Sequence, residues 1–305
     1  MGDRNLFQYI ILALKGMAMG AADVVPGVSG GTIAFISGIY EELITSLNNI
    51  NFSIFKVWKQ KGLKVAWKQL NGNFLLALFL GIGISVVSLA KLISWLLENE
   101  PILVWAFFFG LVLASVFFVA RGIGKWSLST ILIFIVGAVL AFFITGLPPA
   151  DNSQSLPFLF LSGALAVCAM ILPGISGAFI LVLLGSYKTI LDAVHQRDFL
   201  IILVVALGAI FGLLSFARLL KWMFQHYKNT TLALLTGFIL GSLNKIWPWK
   251  KVLDSEVFGD KTIAIKEINV SPFSMTGDNQ LVTAIVLGIL GFSVIFILEK
   301  LASKK

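Results

Sequence analysis

Two short stretches of this sequence place a proline, glycines and a serine inside apolar segments. Residues 26–31 read Pro-Gly-Val-Ser-Gly-Gly, and residues 173–177 read Pro-Gly-Ile-Ser-Gly. Proline and glycine do not continue a helix, so each stretch predicts a break after which a new helix starts. A helix start exposes unpaired N–H groups with a partial positive charge, which favour an anion, and phosphate is the commonest anion bound in this way.

We therefore expect both breaks to contribute to an anion site. Glycine allows a ligand to approach the backbone closely, and the serine hydroxyls can donate further hydrogen bonds. The alternative is that the small residues only allow helices to cross closely. The candidate binding residues are Asp23, Pro26, Gly27, Ser29, Gly30, Gly31 and Thr32 in the first stretch, Pro173, Gly174, Ser176 and Gly177 in the second, and Lys91 and Arg218 outside both.

The charged candidates suggest different roles. Asp23 lies three residues before Pro26 in an apolar segment, where an acid is costly and usually functional. The second stretch has Met170 at the matching position, so the two stretches are chemically unequal. Asp23 is expected to carry a proton, to pair with a basic residue or to cap the broken helix. Lys91 and Arg218 match each other in position, and both phosphate contact and snorkelling to lipid headgroups fit them.

The composition indicates a membrane protein. The chain has 305 residues, of which 58% are hydrophobic and 12% charged, and a soluble chain carries about twice that charge. The net charge of +8 comes with basic residues at the ends of apolar segments, which favours orientation in an anionic membrane over nucleic-acid binding. The single cysteine, Cys168, excludes an internal disulfide and a cysteine-based metal site. We expect no cofactor.

The second break belongs to a longer internal repeat. Gly16 recurs as Gly163 with the same offset that relates Pro26 to Pro173, and further along the chain the segment 81–95 matches the segment 208–222. Each half then predicts one re-entrant broken-helix hairpin followed by three transmembrane helices, in an all-α polytopic membrane protein with inverted repeats. A broken apolar segment that is used twice is typical of a transport site near the middle of a membrane.

The predicted elements have the following bounds. The first repeat, 1–146, contains a re-entrant hairpin at 6–47 with a second arm at 32–47, an amphipathic surface helix at 52–70, and spans at 74–97, 102–120 and 128–146. The second repeat, 147–305, contains a re-entrant hairpin at 157–194, spans at 199–220, 230–248 and 280–298, and an outer polar loop at 249–279 with a short strand at 262–270.

Charge asymmetry predicts the orientation. If each hairpin returns to its own side, each half crosses three times and the second half is inverted. With the N-terminus inside, the lysines of the surface helix and of the other short basic loops lie inside, and Glu98 and Glu100 lie outside, as the positive-inside rule requires. Both termini are then cytoplasmic and the loop 249–279 is outside. Two full crossings per hairpin would give the same parity.

The segment 20–44, together with the later stretch 172–187, resembles the bacterial polyprenyl-phosphate transporter family over nearly the whole chain. The resemblance implies a flippase in the cytoplasmic membrane that returns undecaprenyl phosphate, the lipid carrier of cell-wall synthesis, from the outer to the inner leaflet. The second stretch departs from the first at Met170 and Ala178, where the first has Asp23 and Gly31.

Two other functions fit the same residues. A transporter of a small soluble anion would leave a polar aqueous route, whereas a lipid flippase would leave a groove that opens sideways to the bilayer. A membrane lipid pyrophosphatase would need a nucleophile or an acid–base pair, and His195 and His226 lie outside both breaks. No Walker-type loop is present, so ATP hydrolysis is not expected. The sequence leaves the energy source and the oligomeric state open.

Overall fold

A computed structural model describes residues 4–25, 28–51, 53–150, 155–258, 261–275 and 277–302, and this part of the chain is mostly helical. The helices of the first half are α1 (Leu6–Val24), α2 (Gly30–Ile36), α3 (Tyr40–Asn48), α4 (Ser53–Lys61), α5 (Leu63–Gln69), α6 (Gly72–Asn99), α7 (Pro101–Arg121) and α8 (Leu128–Gly146). Those of the second half are α9 (Leu156–Ile171), α10 (Gly177–Leu183), α11 (Tyr187–Gln196), α12 (Phe199–His226), α13 (Lys228–Ser242) and α14 (Leu281–Ala302). An antiparallel hairpin of β1 (Lys250–Phe258) and β2 (Lys261–Asn269) precedes a short 3-10 turn (Pro272–Ser274) and α14.

The helices confirm the predicted class of polytopic α-helical membrane protein. Within the described residues, five helices are long and apolar enough to cross a membrane, namely α1, α6, α7, α8 and α12. The pair α10 and α11 also passes this test when taken together, but it is bent by 106°. The remaining apolar helices include α9 and α14, which are shorter over their described apolar parts.

Each hairpin contains a second break that the sequence did not predict. The single helix expected over 32–47 is divided into α2 and α3 at Gly38, whose φ is +72°. The second hairpin is divided in the same way at Gly185, with a φ of +67°. Side chains disfavour this left-handed backbone, so glycine is what allows both turns. Each hairpin therefore has an entering helix, a short middle helix and a third helix that bends away.

The surface helix and the polar loop also differ in detail from their predicted forms. The helix expected over 52–70 is two helices, α4 and α5, because the backbone turns at Gly62 with a φ of +85°. Residue 52 lies outside the described part. The strand predicted over 262–270 is confirmed as β2, one residue earlier, and β1 is a further strand that the sequence does not predict.

The first hairpin returns to the end from which it enters. Arg4, just before α1, forms a two-pronged ion pair with Glu42 of α3, with Nη1 2.9 Å from Oε1. Asn71, at the start of α6, donates from Nδ2 to the same Oε1 at 2.9 Å. The starts of α1 and α6 and the first turn of α3 therefore meet at one end of the bundle, as a hairpin that returns to its own side requires.

The internal repeat is visible in the packing of the entering helices. In the first half α1 lies along α6, and in the second α9 lies along α12. A Cβ on Gly16 would overlap the carbonyl oxygen of Leu78, and a Cβ on Gly163 would overlap that of Val205. These pairs occupy matching positions in the two halves, so the same close helix contact is used twice. Glycine allows backbones to approach in this way.

The other spans pair between the two halves. Helix α7 packs along α14, and α8 packs along α13. The first pair runs parallel, because Gln280 donates to Glu100 where both helices begin and Arg121 lies over the Phe296 ring near their other end. Each pair contains one helix from each half, and a two-fold relation between the halves produces such pairs. The orientation of the halves in a membrane stays a prediction.

Candidate functional site at the paired helix breaks

A new helix begins directly after each break, as the sequence predicts. Helix α2 starts at Gly30, and the N-cap residue Ser29 accepts a hydrogen bond on Oγ from Gly31 N at 3.0 Å. Helix α10 starts at Gly177 after an extended Ser176, which makes no such cap. The first helix start is therefore satisfied by its own serine and the second is not. Two further candidates, Pro26 and Gly27, lie outside the described residues.

The two breaks lie against each other in the protein interior. Ser29 Oγ lies within hydrogen-bonding distance of the carbonyl oxygens of Met170 and Leu172, at 3.2 and 3.0 Å. In return, Gly174 N donates to Thr32 Oγ1 at 2.9 Å. Both hydroxyl side chains are fully buried. Residues 141 to 143 positions apart are thus joined by hydrogen bonds, and we call this contact between the breaks the junction.

Asp23 caps the first broken helix. Its Oδ1 accepts a hydrogen bond from Gly30 N at 2.7 Å, which is one of the three roles that the sequence allowed. Among the described residues Asp23 makes no ion pair. The carboxylate also fills the space in front of the helix start, since a Cβ on Gly30 would come within 2.5 Å of Oδ2. In this conformation the anion at the start of α2 is the protein's own.

Packing requires glycine at the junction. A Cβ on Gly31 would lie 2.5 Å from the carbonyl oxygen of Ile171, and one on Gly177 would lie 2.7 Å from that of Ala166. Gly174, which follows the buried Pro173, has a left-handed φ of +96°. Of the two roles that these small residues allow, anion binding and close helix crossing, the second is present at the junction.

Lys91 and Arg218 are not brought to the junction. Both side chains are exposed on α6 and α12, and no hydrogen bond or ion pair of the described residues joins either to a break. Arg218 instead lines a groove of about 620 Å³ between α4, α5, α6 and α12. The rest of its wall is nearly all apolar and includes Trp58, Trp67 and Phe79.

A charged cluster close to the second break was missed by sequence reasoning. Lys245 Nζ and Lys250 Nζ lie 3.5 and 3.3 Å from the same oxygen, Oε2 of Glu267. Lys245 also lies over the ring of Phe179 on α10, 5.1 Å from its centroid, and Lys250 lies 3.8 Å from the ring centroid of Trp105 on α7. The pairing of β1 with β2 brings Lys250 close to Glu267, and the end of α13 adds Lys245. No local pattern indicates this.

Comparison with known proteins identifies close relatives. A family model described as undecaprenyl phosphate translocase-like matches residues 19–265. The chain is 47% identical over 301 residues to the polyprenyl-phosphate transporter of Vibrio cholerae serotype O1, which covers 97% of this chain and 98% of the relative. It is 33% identical over 253 residues to the polyprenyl-phosphate transporter of Staphylococcus aureus, covering 77% of this chain and 85% of the relative. No solved structure matches the chain.

Proposed function

This chain belongs to the undecaprenyl phosphate translocase-like family, and on that premise we propose that it carries polyprenyl phosphate across a bacterial cytoplasmic membrane. The proposed direction is from the outer to the inner leaflet, which returns undecaprenyl phosphate to the side where it is loaded. Both termini lie on the cytoplasmic side in this proposal. The protein moves the lipid without a chemical step on it.

The observation that carries the proposal is the junction of the two breaks. Transporters with internal repeats commonly bind their substrate where discontinuous helices of the two repeats meet. Here Ser29 and Thr32 of the first break contact the second break directly, in the interior. Irregular backbone at membrane depth is tolerated where protein surrounds it or where it lines a cavity. Separation of the breaks would open a cavity between the two halves.

We place the phosphate at the helix starts when the junction is open. Asp23 occupies the position that a bound anion takes at a helix start, with its oxygen on Gly30 N. Two negative charges in that position repel each other, so the carboxylate has to turn away or take up a proton when the phosphate arrives. Phosphate binding and protonation of Asp23 are then linked. The uncapped Ser176 and Gly177 offer the second contact.

The groove beside α4 and α5 favours a lipid over a small soluble anion. Its wall is apolar except near Asn51 and Arg218, which suits an isoprenoid chain with a phosphate at one end. A soluble anion would gain nothing from such a surface. The lysines around the groove would contact anionic headgroups of neighbouring lipids. They are Lys56, Lys59, Lys61, Lys64 and Lys68.

We also propose that residues 1–146 and 147–305 are inverted repeats. Helices α7 and α8 follow each other through a short connection and run antiparallel. Helix α8 runs parallel to α13, because Gly124 N donates to Asn229 near the starts of both helices and Gly241 packs on Ala138 further along. Helices α7 and α13 are each the second span of their half, so they are counterparts. They run in opposite directions, which supports the inversion.

Transport in vesicles that contain only this protein tests the proposed function. Labelled polyprenyl phosphate is placed in one leaflet, and its arrival in the other is followed over time. We expect faster arrival than in protein-free vesicles, and no acceleration for the uncharged polyprenol. Uptake of inorganic phosphate and hydrolysis of undecaprenyl pyrophosphate are measured on the same preparation. Uptake or hydrolysis without lipid transfer would overturn the proposal in favour of a soluble-anion transporter or a pyrophosphatase.

A further inference from the structure

The cluster of Lys245, Lys250 and Glu267 has one more positive charge than negative charge. Both ammonium groups approach Oε2 of Glu267, at 3.5 and 3.3 Å. Carboxylate and phosphate oxygens are equivalent partners for an ammonium group. One carboxylate therefore serves two cations, and neither distance is short for a charged hydrogen bond.

The charge of Lys250 is also largely withdrawn from water. Its side chain is 7% exposed, and its ammonium group lies over the Trp105 ring. Burial lowers the pKa of Lys250 to about 8, although Glu267 acts in the opposite direction. The charged groups that face Lys250 are Glu267 on β2 and Lys245 after α13. The single carboxylate thus leaves the buried charge incompletely compensated.

The cluster adjoins the second break. Lys245 lies over Phe179, which belongs to the first turn of α10. Ser242, three residues before Lys245, packs against Gly174, since a Cβ on that glycine would lie 2.7 Å from Ser242 Oγ. The end of α13 therefore links the charged cluster to the junction. Lys245 is 22% exposed, so the cluster is open on the side of Lys245.

We propose that Lys245 and Lys250 receive a phosphate monoester on the face that carries the β-hairpin, and that Glu267 is the counter-ion which the phosphate displaces. The inference rests on the proposed function. In that function the lipid headgroup contacts this site first and reaches the junction afterwards. A phosphate offers three oxygens and up to two negative charges, so each ammonium group can bind an oxygen of its own. The carboxylate of Glu267 offers both ammonium groups the same oxygen. The aromatic rings hold the two lysines in place when Glu267 leaves.

Substitution of Glu267 distinguishes a binding site from a structural clamp, because the two predict opposite signs. We would measure the dissociation constant of a short-chain polyprenyl phosphate for the purified full chain in nanodiscs, and that of inorganic phosphate in parallel. Glu267→Gln removes the competing anion and is expected to tighten binding about threefold to tenfold. Lys245→Gln and Lys250→Gln remove a charged hydrogen bond and are expected to weaken it about tenfold or more. Lys251→Gln, on the exposed face of β1, is the matched control.

The possible outcomes separate this inference from the proposed function. If Glu267→Gln binds phosphate as the wild type does or more weakly, and Lys245→Gln binds it like the wild type, the two lysines do not form a phosphate site. The cluster is then only a structural clamp. If the wild type still transports the lipid in that case, the proposed function stands. If the variants bind inorganic phosphate in the expected order of affinity but none binds the lipid, the phosphate site is supported. The proposal of a lipid substrate is then contradicted. Thermal melts identify variants that lose their fold, and Lys245→Gln, at a partly exposed position, keeps the test open if Lys250→Gln unfolds.

Discussion

Thr32 is the residue through which the first break holds the second. Its buried hydroxyl accepts the hydrogen bond from Gly174 N. Thr32→Val keeps the shape but leaves this N–H without its partner, which costs about 1–3 kcal/mol. Thr32→Ser keeps the hydroxyl and loses one methyl group, about 0.8 kcal/mol. We therefore expect the melting temperature in detergent to fall further for valine than for serine. Equal melting of Thr32→Val and wild type would contradict a stabilising junction.

Asp23 combines a capping role with a charge, and two substitutions separate them. Asp23→Asn keeps an oxygen that can accept from Gly30 N, whereas Asp23→Ala removes the cap and costs about 0.5–2 kcal/mol. We expect asparagine to preserve the melting temperature and to abolish the dependence of lipid transport on the pH gradient. Alanine should lower the melting temperature as well. A pH profile of transport that is unchanged in Asp23→Asn would remove the carboxylate from the mechanism.

The sequence was sufficient for the residues whose role is local. Ser29 and Gly30 mark a helix start because a serine cap and the end of a Pro-Gly turn are recognisable from neighbours along the chain. The bond between Thr32 and Gly174 and the sharing of Glu267 by two lysines depend on long-range packing. No local pattern encodes such contacts. For the same reason the sequence does not indicate that Arg218 lines the groove rather than the junction.

The contact between α1 and α6 can be tested with two glycines of the same helix. A Cβ on Gly81 would overlap the carbonyl oxygen of Ala13, whereas nothing lies within 4 Å of a Cβ on Gly83. Gly81→Ala forces the helices apart, and overpacking of this kind costs about 1–3 kcal/mol. Gly83→Ala should be neutral or slightly stabilising, since alanine favours a helix. Melting in detergent measures both, and similar melting of the two variants would show that α1 can move away from α6 at little cost.

The docking of the β-hairpin onto α7 gives a stability that depends on pH. The pKa of Lys250 is lowered in the folded state from 10.5 to about 8 by burial. Between those values the unfolded chain binds more protons than the folded one, so stability rises with pH in this window and is lost as pH falls towards 8. We expect Lys250→Met to lose this rise, while Lys251→Met on the same strand keeps it. The melting temperature is recorded from pH 7.5 to about 10.5. An identical rise in Lys250→Met would show that other groups cause it.

At the level of elements, the apolar segments and their order could be predicted because length and hydropathy define a span. The second turn in each hairpin could not. Gly38 and Gly185 stand in apolar runs without a proline, and an isolated glycine is tolerated within a helix. Both glycines have a left-handed φ in the fold, and no neighbour along the chain indicates it. The strand β1 was missed for a similar reason, since its pairing with β2 defines it.

The whole molecule is held together by contacts that cross between its halves. Helices α7 and α8 each pair with a helix of the other half, and the junction joins the two hairpins. Neither half can therefore keep its packing alone. A transport cycle in which the junction opens has to leave these paired spans in place, so we expect the hairpins to move against a frame of α7, α8, α13 and α14.

We expect the surface helices and the β-hairpin to lie on opposite sides of the membrane, because the long helix α6 separates the surface helices from the start of α7, where the β-hairpin docks. Lys61, at the end of α4, and Phe273, in the 3-10 turn before α14, are exposed positions on these two elements. Single cysteines at both positions are introduced into a chain in which Cys168 has been replaced by alanine. With an impermeant thiol reagent added outside intact cells, we expect Phe273→Cys to be labelled and Lys61→Cys to be protected until the membrane is permeabilised.

The result discriminates between the two topologies because the hairpins decide the parity of the crossings. If the first hairpin crossed the membrane once, the lysines of α4 and α5 would face outward, against the positive-inside rule, and Lys61→Cys would be labelled in intact cells. The ion pair of Arg4 with Glu42 opposes such a crossing, because it holds the third helix of the hairpin at the end where α1 begins. The chain with Cys168→Ala and no added cysteine gives the background. Labelling of both cysteines from one face would contradict the inverted repeat.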